Sequence, residues 1–154
     1  MDFQLNLTTE TVSRLNPPLP LCFEPQVPVR EVIQVMQTRA RGAAVIWREG
    51  LLVGIFTERD AVKLLATGAD LSVPVEQVMT RNPVVLSSTA TVAEAIATMS
   101  RGGYRRLPIV DAAGRPIGIV RVKQILHYLV QHFPAAIYNL PPSPDSGTHE
   151  REGA

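Results

Sequence analysis

The chain has 154 residues, a formal net charge of +1 and 19% charged residues, the composition of an ordinary globular protein. This length allows one domain or two small units with a buried core, and it is too short for a complete barrel enzyme of roughly 250 residues. The small net charge gives no field that would recruit nucleic acid or anionic lipid. The single cysteine excludes an internal disulfide bond.

We expect a cytoplasmic protein without a metal site or a membrane span. The first ten residues lack the basic and apolar regions of a secretion signal. No apolar run approaches the ~20 residues that cross a bilayer. Cysteine and histidine do not cluster at the spacing of metal ligands.

An arm, a strand and an amphipathic helix are predicted first. Residues 1–19 are polar and then proline-rich, which indicates a loose arm with one helical turn near residues 12–15. A short strand is predicted at 21–23. Apolar residues then recur at i, i+3, i+4 and i+7, the spacing of a helix with one buried face. These residues are Val29, Val32, Ile33 and Met36.

A hairpin and a second helix follow. Apolar runs of strand length at 43–47 and 51–56 are separated by a tight turn. At the start of the helix, the Thr57 hydroxyl and the Asp60 carboxylate have the spacing of a capping box, in which each side chain satisfies a free backbone N–H. The helix is predicted to end near Gly68 and to bury Ala61, Leu64 and Leu65.

The same order of elements then repeats. At an offset of 63 residues Val29 matches Val92, and one inserted residue makes the later offset 64, so that Gly54 matches Gly118. Agreement of every element in order indicates two copies of strand, helix, strand, strand and helix. Further matches are Pro20 with Pro83, Glu31 with Glu94, Ile33 with Ile96, Met36 with Met99, Ile46 with Ile109 and Ile55 with Ile119.

Three segments of these copies resemble a tandem pair of CBS domains, also called a Bateman module. They are Gly-Ile-Phe-Thr-Glu-Arg-Asp at 54–60, Val-Met-Thr-Arg-Asn-Pro-Val-Val at 78–85 and Tyr-Arg-Arg-Leu-Pro-Ile-Val-Asp at 104–111. The resemblance covers about residues 12–131, and the chain is similar to stand-alone bacterial proteins of this family. It implies an α+β fold of two β-α-β-β-α subdomains, packed sheet to sheet about a pseudo-twofold axis.

The resemblance also divides the chain into four parts. The expected parts are an arm at 1–19, CBS domain 1 at 20–76, CBS domain 2 at 77–131 and a partly disordered tail at 132–154. In this family such pairs assemble as dimers through their helices, and symmetric dimers are common in general. A homodimer is therefore expected.

The family further implies two clefts between the subdomains that can bind AMP, ADP, ATP or S-adenosylmethionine as a regulatory ligand, with no required cofactor. A carboxylate can accept two hydrogen bonds from the ribose diol, and arginine forks suit phosphate oxygens. The simpler interpretation is a helix cap and solvated surface charges. The family pattern assigns the ribose hydroxyls to Asp60, the phosphate or the ribose to Thr57, and phosphate to Arg105, Arg106 and Lys123. Apolar walls for adenine are expected from Ile55, Phe56, Ala43 and Ala44.

The second cleft departs from this pattern. Arg121 and Gln124 stand where the first copy has the hydroxyl and the carboxylate, so a nucleotide there is expected to bind weakly or differently. Gly42 occupies a position where some relatives carry a phosphate-binding arginine, with Arg39 and Arg41 nearby but not equivalent. At most one competent cleft is expected.

Three functions are therefore compared. The leading one is a non-catalytic sensor of adenosyl compounds that changes its association with a regulated protein. The second is a ligand-free dimerisation module. The third is an enzyme related to IMP dehydrogenase, which contains this module, and the missing barrel argues against it. A nucleic-acid role has no basic stripe or interleaved aromatic residues to support it.

Overall fold

The computed structural model describes residues 7–132, so the predicted tail beyond residue 132 lies outside the described part of the chain. Short 3-10 helices occupy Val12–Leu15 and Val75–Gln77. The strands and α-helices are β1 (Cys22–Phe23), α1 (Val29–Thr38), β2 (Ala43–Arg48), β3 (Leu51–Thr57), α2 (Glu58–Ala66), β4 (Thr80–Arg81), β5 (Leu86–Ser87), α3 (Val92–Gly102), β6 (Arg106–Val110), β7 (Pro116–Arg121) and α4 (Val122–His132).

Each copy forms its own sheet, which confirms the predicted mixed fold of two units. The first sheet has the order β1-β2-β3-β4 and the second has the order β5-β6-β7. In both, the first strand is parallel to the second and the hairpin is antiparallel. The turn between β2 and β3 consists of Glu49 and Gly50, both with positive φ (53° and 79°), which is the backbone that tight two-residue hairpins require.

Alternate residues of the first hairpin face opposite ways, because side chains alternate along a strand. Ala44 and Phe56 are fully buried with the helices of the first half. Val45 and Ile55 instead pack with Ile119 of β7, between the two sheets. Of the four residues predicted for the adenine wall, Ala43 and Ile55 lie between the sheets, whereas the side chains of Ala44 and Phe56 point into the first core.

The helical turn predicted near residues 12–15 is confirmed by the 3-10 helix Val12–Leu15, but this described part of the arm is packed and not loose. Val12 and Leu15 are 1% and 6% exposed and lie in the core of the second half, against α3 and α4. The segment that connects the two copies packs into the core of the first half in the same way, and its Val75 is fully buried there. Because the arm is mostly polar, its composition did not predict the burial of these apolar side chains.

The two segments that complete the cores are equivalent to each other. Val12 N–H donates to the Ala90 carbonyl at 2.9 Å, and Val75 N–H donates to the Val27 carbonyl at 2.8 Å. Val12 and Val75 are 63 residues apart, the offset of the repeat. Each half is thus completed by the segment that precedes the other copy, and the chain crosses between the halves.

One side chain of α2 also departs from the sequence prediction. Ala61 is buried and Leu64 packs against the first core, but Leu65 is 58% exposed. A nine-residue helix on a sheet buries a narrow stripe, so one of two adjacent leucines turns to solvent.

A partly buried hydrogen bond connects the arm to the last helix. The Tyr128 hydroxyl donates to Glu10 Oε2 at 2.7 Å, and Arg14 Nε donates to the same oxygen at 3.0 Å. Burial, followed by the nearby carboxylate, raises the pKa of Tyr128 to about 12. The hydrogen bond from Tyr128 lowers the pKa of Glu10.

Leu15→Ala is expected to destabilise the protein by about 2–5 kcal/mol, because it leaves a cavity in the second core. Leu19, four residues further on and 74% exposed, provides a matched control: Leu19→Ala should change the free energy of unfolding by less than about 0.5 kcal/mol. Urea unfolding measures both. Equal effects of the two substitutions would contradict the packing of the arm.

Tyr128→Phe is expected to lower the free energy of unfolding at neutral pH by about 1 kcal/mol, the net value of a typical hydrogen bond. The Glu10 contribution is present above the usual glutamate pKa of 4.5 and is lost as the pH falls through the lowered pKa of the folded state. The Tyr128 contribution is present below pH 10.0 and is lost as the pH rises towards about 12. The difference in the free energy of unfolding between Tyr128→Phe and the unmodified protein should therefore become smaller at both low and high pH. Tyr104→Phe, at a more exposed ring, should show no such pH dependence.

Candidate functional site

The first helix turn of α2 holds the two residues predicted to bind ribose. Thr57 ends β3 in extended conformation and caps α2. Asp60 Oδ2 accepts the Thr57 backbone N–H at 2.9 Å and the Thr57 hydroxyl at 3.0 Å, while the Thr57 hydroxyl oxygen accepts the Asp60 N–H at 3.3 Å. The predicted capping box is confirmed. These bonds fix the carboxylate at the end of the first sheet, and both bonds that it accepts use the same carboxylate oxygen.

Arg106 reaches from the second sheet to the first. Its Nη2 lies 3.2 Å from Glu58 Oε1, and Glu58 directly follows Thr57. The guanidinium also fills the space over Gly42, where an added Cβ would overlap it. The space left by the missing side chain of Gly42 is therefore occupied by the side chain of Arg106 from the other half.

The other predicted site residues are not all brought to one place. Ile55 and Ala43 lie between the sheets in one apolar cluster. Arg105 and Lys123 are exposed, and neither is among the described residues that line the cleft next to Arg106.

That cleft has a volume of about 320 Å³ and lies at the junction of the two sheets. Two of the predicted residues, Ala43 and Arg106, contribute to it. The signal that could have identified the rest was the group of arginines around Gly42, together with Arg121 in the place of a threonine. The residues that line the cleft are Pro18, Arg39, Ala40, Arg41, Gly42, Ala43, Arg106, Ile119 and Arg121.

Arg121 is the most unusual side chain of the cleft. Its backbone N–H donates to Gln124 Oε1 at 2.6 Å, so Gln124 caps α4 as Asp60 caps α2. Arg121 Nε is buried, and no described residue accepts its hydrogen bond. A buried donor without a partner costs about 1–3 kcal/mol. Arg106 stands directly opposite Arg121 in the β6-β7 ladder, and like charges at such positions are destabilising.

Among residues 7–132, no group of three or more His, Cys, Asp or Glu side chains could hold a metal ion. Burial raises the pKa of the Cys22 thiol, which disfavours the nucleophilic thiolate. No helix in this part of the chain has both the length and the apolar character needed to span a membrane.

Comparison with protein families identifies both copies. The family model for the CBS domain matches residues 12–67 and 75–131. An uncharacterized 17.7 kDa protein of Acidianus ambivalens is 33% identical over 108 residues, which are 70% of this chain and 65% of that protein. Inosine-5'-monophosphate dehydrogenase of Methanocaldococcus jannaschii is 39% identical over 107 residues, which are 69% of this chain but 21% of the enzyme. The chain thus spans less than two thirds of the length of these relatives.

Solved structures share the same fold. A CBS domain protein of Pyrobaculum aerophilum, complexed with AMP, has a TM-score of 0.70 at 23% identity, over 79% of this chain and 98% of that chain. A CBS domain pair in complex with 5'-methylthioadenosine and S-adenosyl-L-methionine has a TM-score of 0.70 at 26% identity, over 77% of this chain and 98% of that chain.

Proposed function

The chain belongs to the CBS domain family, and we propose that it is a regulatory module that binds an adenosyl compound between its two halves. Structures of the same fold contain AMP, or 5'-methylthioadenosine with S-adenosyl-L-methionine. These ligands have an adenosine unit in common and differ in the group attached to it. The shared unit supports an adenosyl ligand in general without selecting one of these compounds.

The observation that carries the proposal is the approach of Arg106 to the first turn of α2. The ion pair of Arg106 with Glu58 brings a cation from the second half next to Thr57, whose N–H and hydroxyl orient Asp60. A carboxylate here can accept ribose hydroxyls, and an arginine fork suits a phosphate. A ligand that used both groups would contact both halves of the molecule.

The remaining contacts of the proposed site follow from the family pattern. Ile55 and Ala43, buried between the sheets, would provide apolar surface at the adenine. Arg105 and Lys123 are exposed, so their long side chains would have to turn towards a phosphate when it binds.

The regulatory mechanism is thermodynamic linkage. A ligand that contacts both halves stabilises the arrangement in which they are close, and it shifts the population that a regulated protein recognises. No catalytic step is part of the proposal. The match to inosine-5'-monophosphate dehydrogenase covers 21% of that enzyme, so it does not support transfer of the enzyme's activity.

AMP, ATP or S-adenosylmethionine is expected to raise the Tm, because a ligand at 100 times its Kd stabilises the folded state by about 2.7 kcal/mol. Asp60→Asn should remove most of this rise, with a loss of about tenfold or more in affinity. Asparagine retains an oxygen that can accept the Thr57 N–H, so the helix cap is kept. Thermal-shift and calorimetric titrations measure both effects.

The control is the second capping box of the molecule. Thr91 and Glu94 cap α3 with the same pair of reciprocal hydrogen bonds, and Glu94→Gln is expected to leave the ligand-induced shift unchanged. An unaltered Tm with every adenosyl compound would defeat the proposal, as would an equal loss of the shift in Asp60→Asn and Glu94→Gln.

A second function, a ligand-independent dimerisation module, is favoured by exposed apolar side chains on two equivalent helices. On α2, Val62 and Leu65 are 64% and 58% exposed, and on α4 Leu126 is 57% exposed. Val62 and Leu126 are 64 residues apart, the later offset of the repeat. Apolar residues at equivalent positions suit a symmetric interface.

Val62→Glu and Leu126→Glu are expected to convert such a dimer into monomers, because a buried unpaired carboxylate is costly at an apolar interface. Val84→Glu, at a 42% exposed position outside these helices, is the control. Sedimentation velocity with and without AMP gives the oligomeric state. A monomeric unmodified protein would exclude this second function.

A further inference from the structure

We infer that a pocket in the second half of the molecule, named here the arm pocket, binds a small uncharged molecule with an unbranched apolar chain and a hydrogen-bonding end. The pocket has a volume of about 340 Å³ and lies between arm residues 12–17 and the strands β6 and β7. It shares no lining residue with the cleft next to Arg106. The inference therefore goes beyond the adenosyl proposal and does not depend on it.

The first argument is a comparison of the two halves at equivalent positions. In the first half, the Met79 side chain lies against Gly54, where a Cβ of that glycine would overlap it, and it packs on the first core. In the second half, the side chain nearest to Gly118, the equivalent of Gly54, is that of Pro17. A proline ring is shorter than the unbranched side chain of methionine. Protein atoms therefore fill this space less completely in the second half than in the first.

The second argument is the backbone on the arm side of the pocket. In the first half, Glu76 N–H donates to the Pro25 carbonyl at 3.1 Å. No backbone hydrogen bond joins the equivalent described residues of the second half, Ser13 and Ser88. Asn16 has a φ of 49° and follows a 3-10 helix that is one residue longer than its counterpart in the first half. The longer turn, without this hydrogen bond, leaves room between the arm and the residue after β5.

The third argument is the chemistry of the lining. None of the described residues that line the arm pocket is charged, which disfavours a nucleotide or another ionic ligand, because a buried charge needs a partner. Ile109 and Ile117 provide apolar surface from the second sheet, and Ile109 is 2% exposed. The side-chain amide of Asn16 and the hydroxyl of Ser88 have no hydrogen-bond partner among the described residues. Apolar walls with a few polar groups are typical of small-molecule sites.

These features define the class of ligand. Small-molecule sites occupy about 300–1,000 Å³, and the arm pocket is at the small end of that range. The equivalent space of the first half holds the unbranched thioether chain of Met79, so a chain of similar length suits the second. A hydroxyl or amide at its end would exchange hydrogen bonds with Asn16 or Ser88. Such a ligand would contact both the arm and the second sheet, and it would stabilise their packing.

The test uses the full chain with methionol, a neutral alcohol that contains the thioether chain of methionine, as the probe. Two-dimensional amide NMR spectra are expected to show saturable shifts of the Ser13, Asn16 and Ser88 signals. The expected Kd is about 1–10 mM, because so small a ligand makes few contacts. Hexanol, which lacks the sulfur, should shift the same signals. Glycerol, which has hydroxyl groups but no apolar chain, should shift none of them.

Two substitutions fill the pocket from opposite walls. Pro17→Met introduces the residue type that fills the equivalent space of the first half, and it should weaken methionol binding about tenfold or more. Ser88→Leu should have the same effect, and it keeps the backbone N–H that donates to the Val110 carbonyl at 2.9 Å. Pro20→Met is the matched control: it adds the same side chain at a proline outside the pocket and should leave binding unchanged.

Shifts that are confined to the arm pocket and are lost in both filled variants would support the inference. The inference is overturned if the shifts do not saturate, if they lie away from the residues of the pocket, or if glycerol reproduces them. It is also overturned if Pro17→Met and Ser88→Leu both keep full affinity, or if Pro20→Met weakens binding as much as they do.

Discussion

The apolar contact between the two sheets is the constraint on which the site depends. Val45 and Ile55 of the first hairpin pack against Ile119 of the second, and all three are at least 92% buried. This contact places the start of β6 beside the start of α2, so that Arg106 meets Glu58. Polar groups at the edge of such a contact are partly removed from water, where charge-assisted hydrogen bonds are stronger. The packing that holds the two halves together therefore also brings these charged groups together at the boundary between the halves.

Crossing segments strengthen the connection between the halves. The arm around Val12 completes the second core, and the segment around Val75 completes the first. Side chains near this crossing also occupy the space beside two glycines: a Cβ at Gly54 would overlap the Met79 side chain, and one at Gly118 would lie 3.2 Å from the Pro17 side chain. Opening one half would expose apolar surface that belongs to the other. The stability of each core is thereby coupled to that of the other.

The duplicated fold carries two different chemistries at equivalent positions. In the first half the last helix begins with a threonine and an aspartate that cap each other. In the second half Arg121 and Gln124 occupy these places, and the glutamine keeps the capping bond while the arginine gains a buried donor with no acceptor among the described residues. The fold tolerates this exchange because the backbone bond of the cap is preserved. What differs between the copies is the charge presented to the space between the sheets.

Local patterns in the sequence determined the order of the elements, the repeat and the capping box at Thr57 and Asp60, because spacing along the chain decides helical faces, tight turns and helix caps. The tertiary structure decided which side chains share the cleft. Strand alternation turned Ala44 and Phe56 into the first core, and sheet packing joined Arg39 and Arg41 with Arg121. Such contacts join residues about 80 positions apart in the sequence. They depend on the orientation of the two sheets relative to each other, which local sequence patterns do not determine. The burial of the arm at Val12 was missed for the same reason, since its partners lie in the other half.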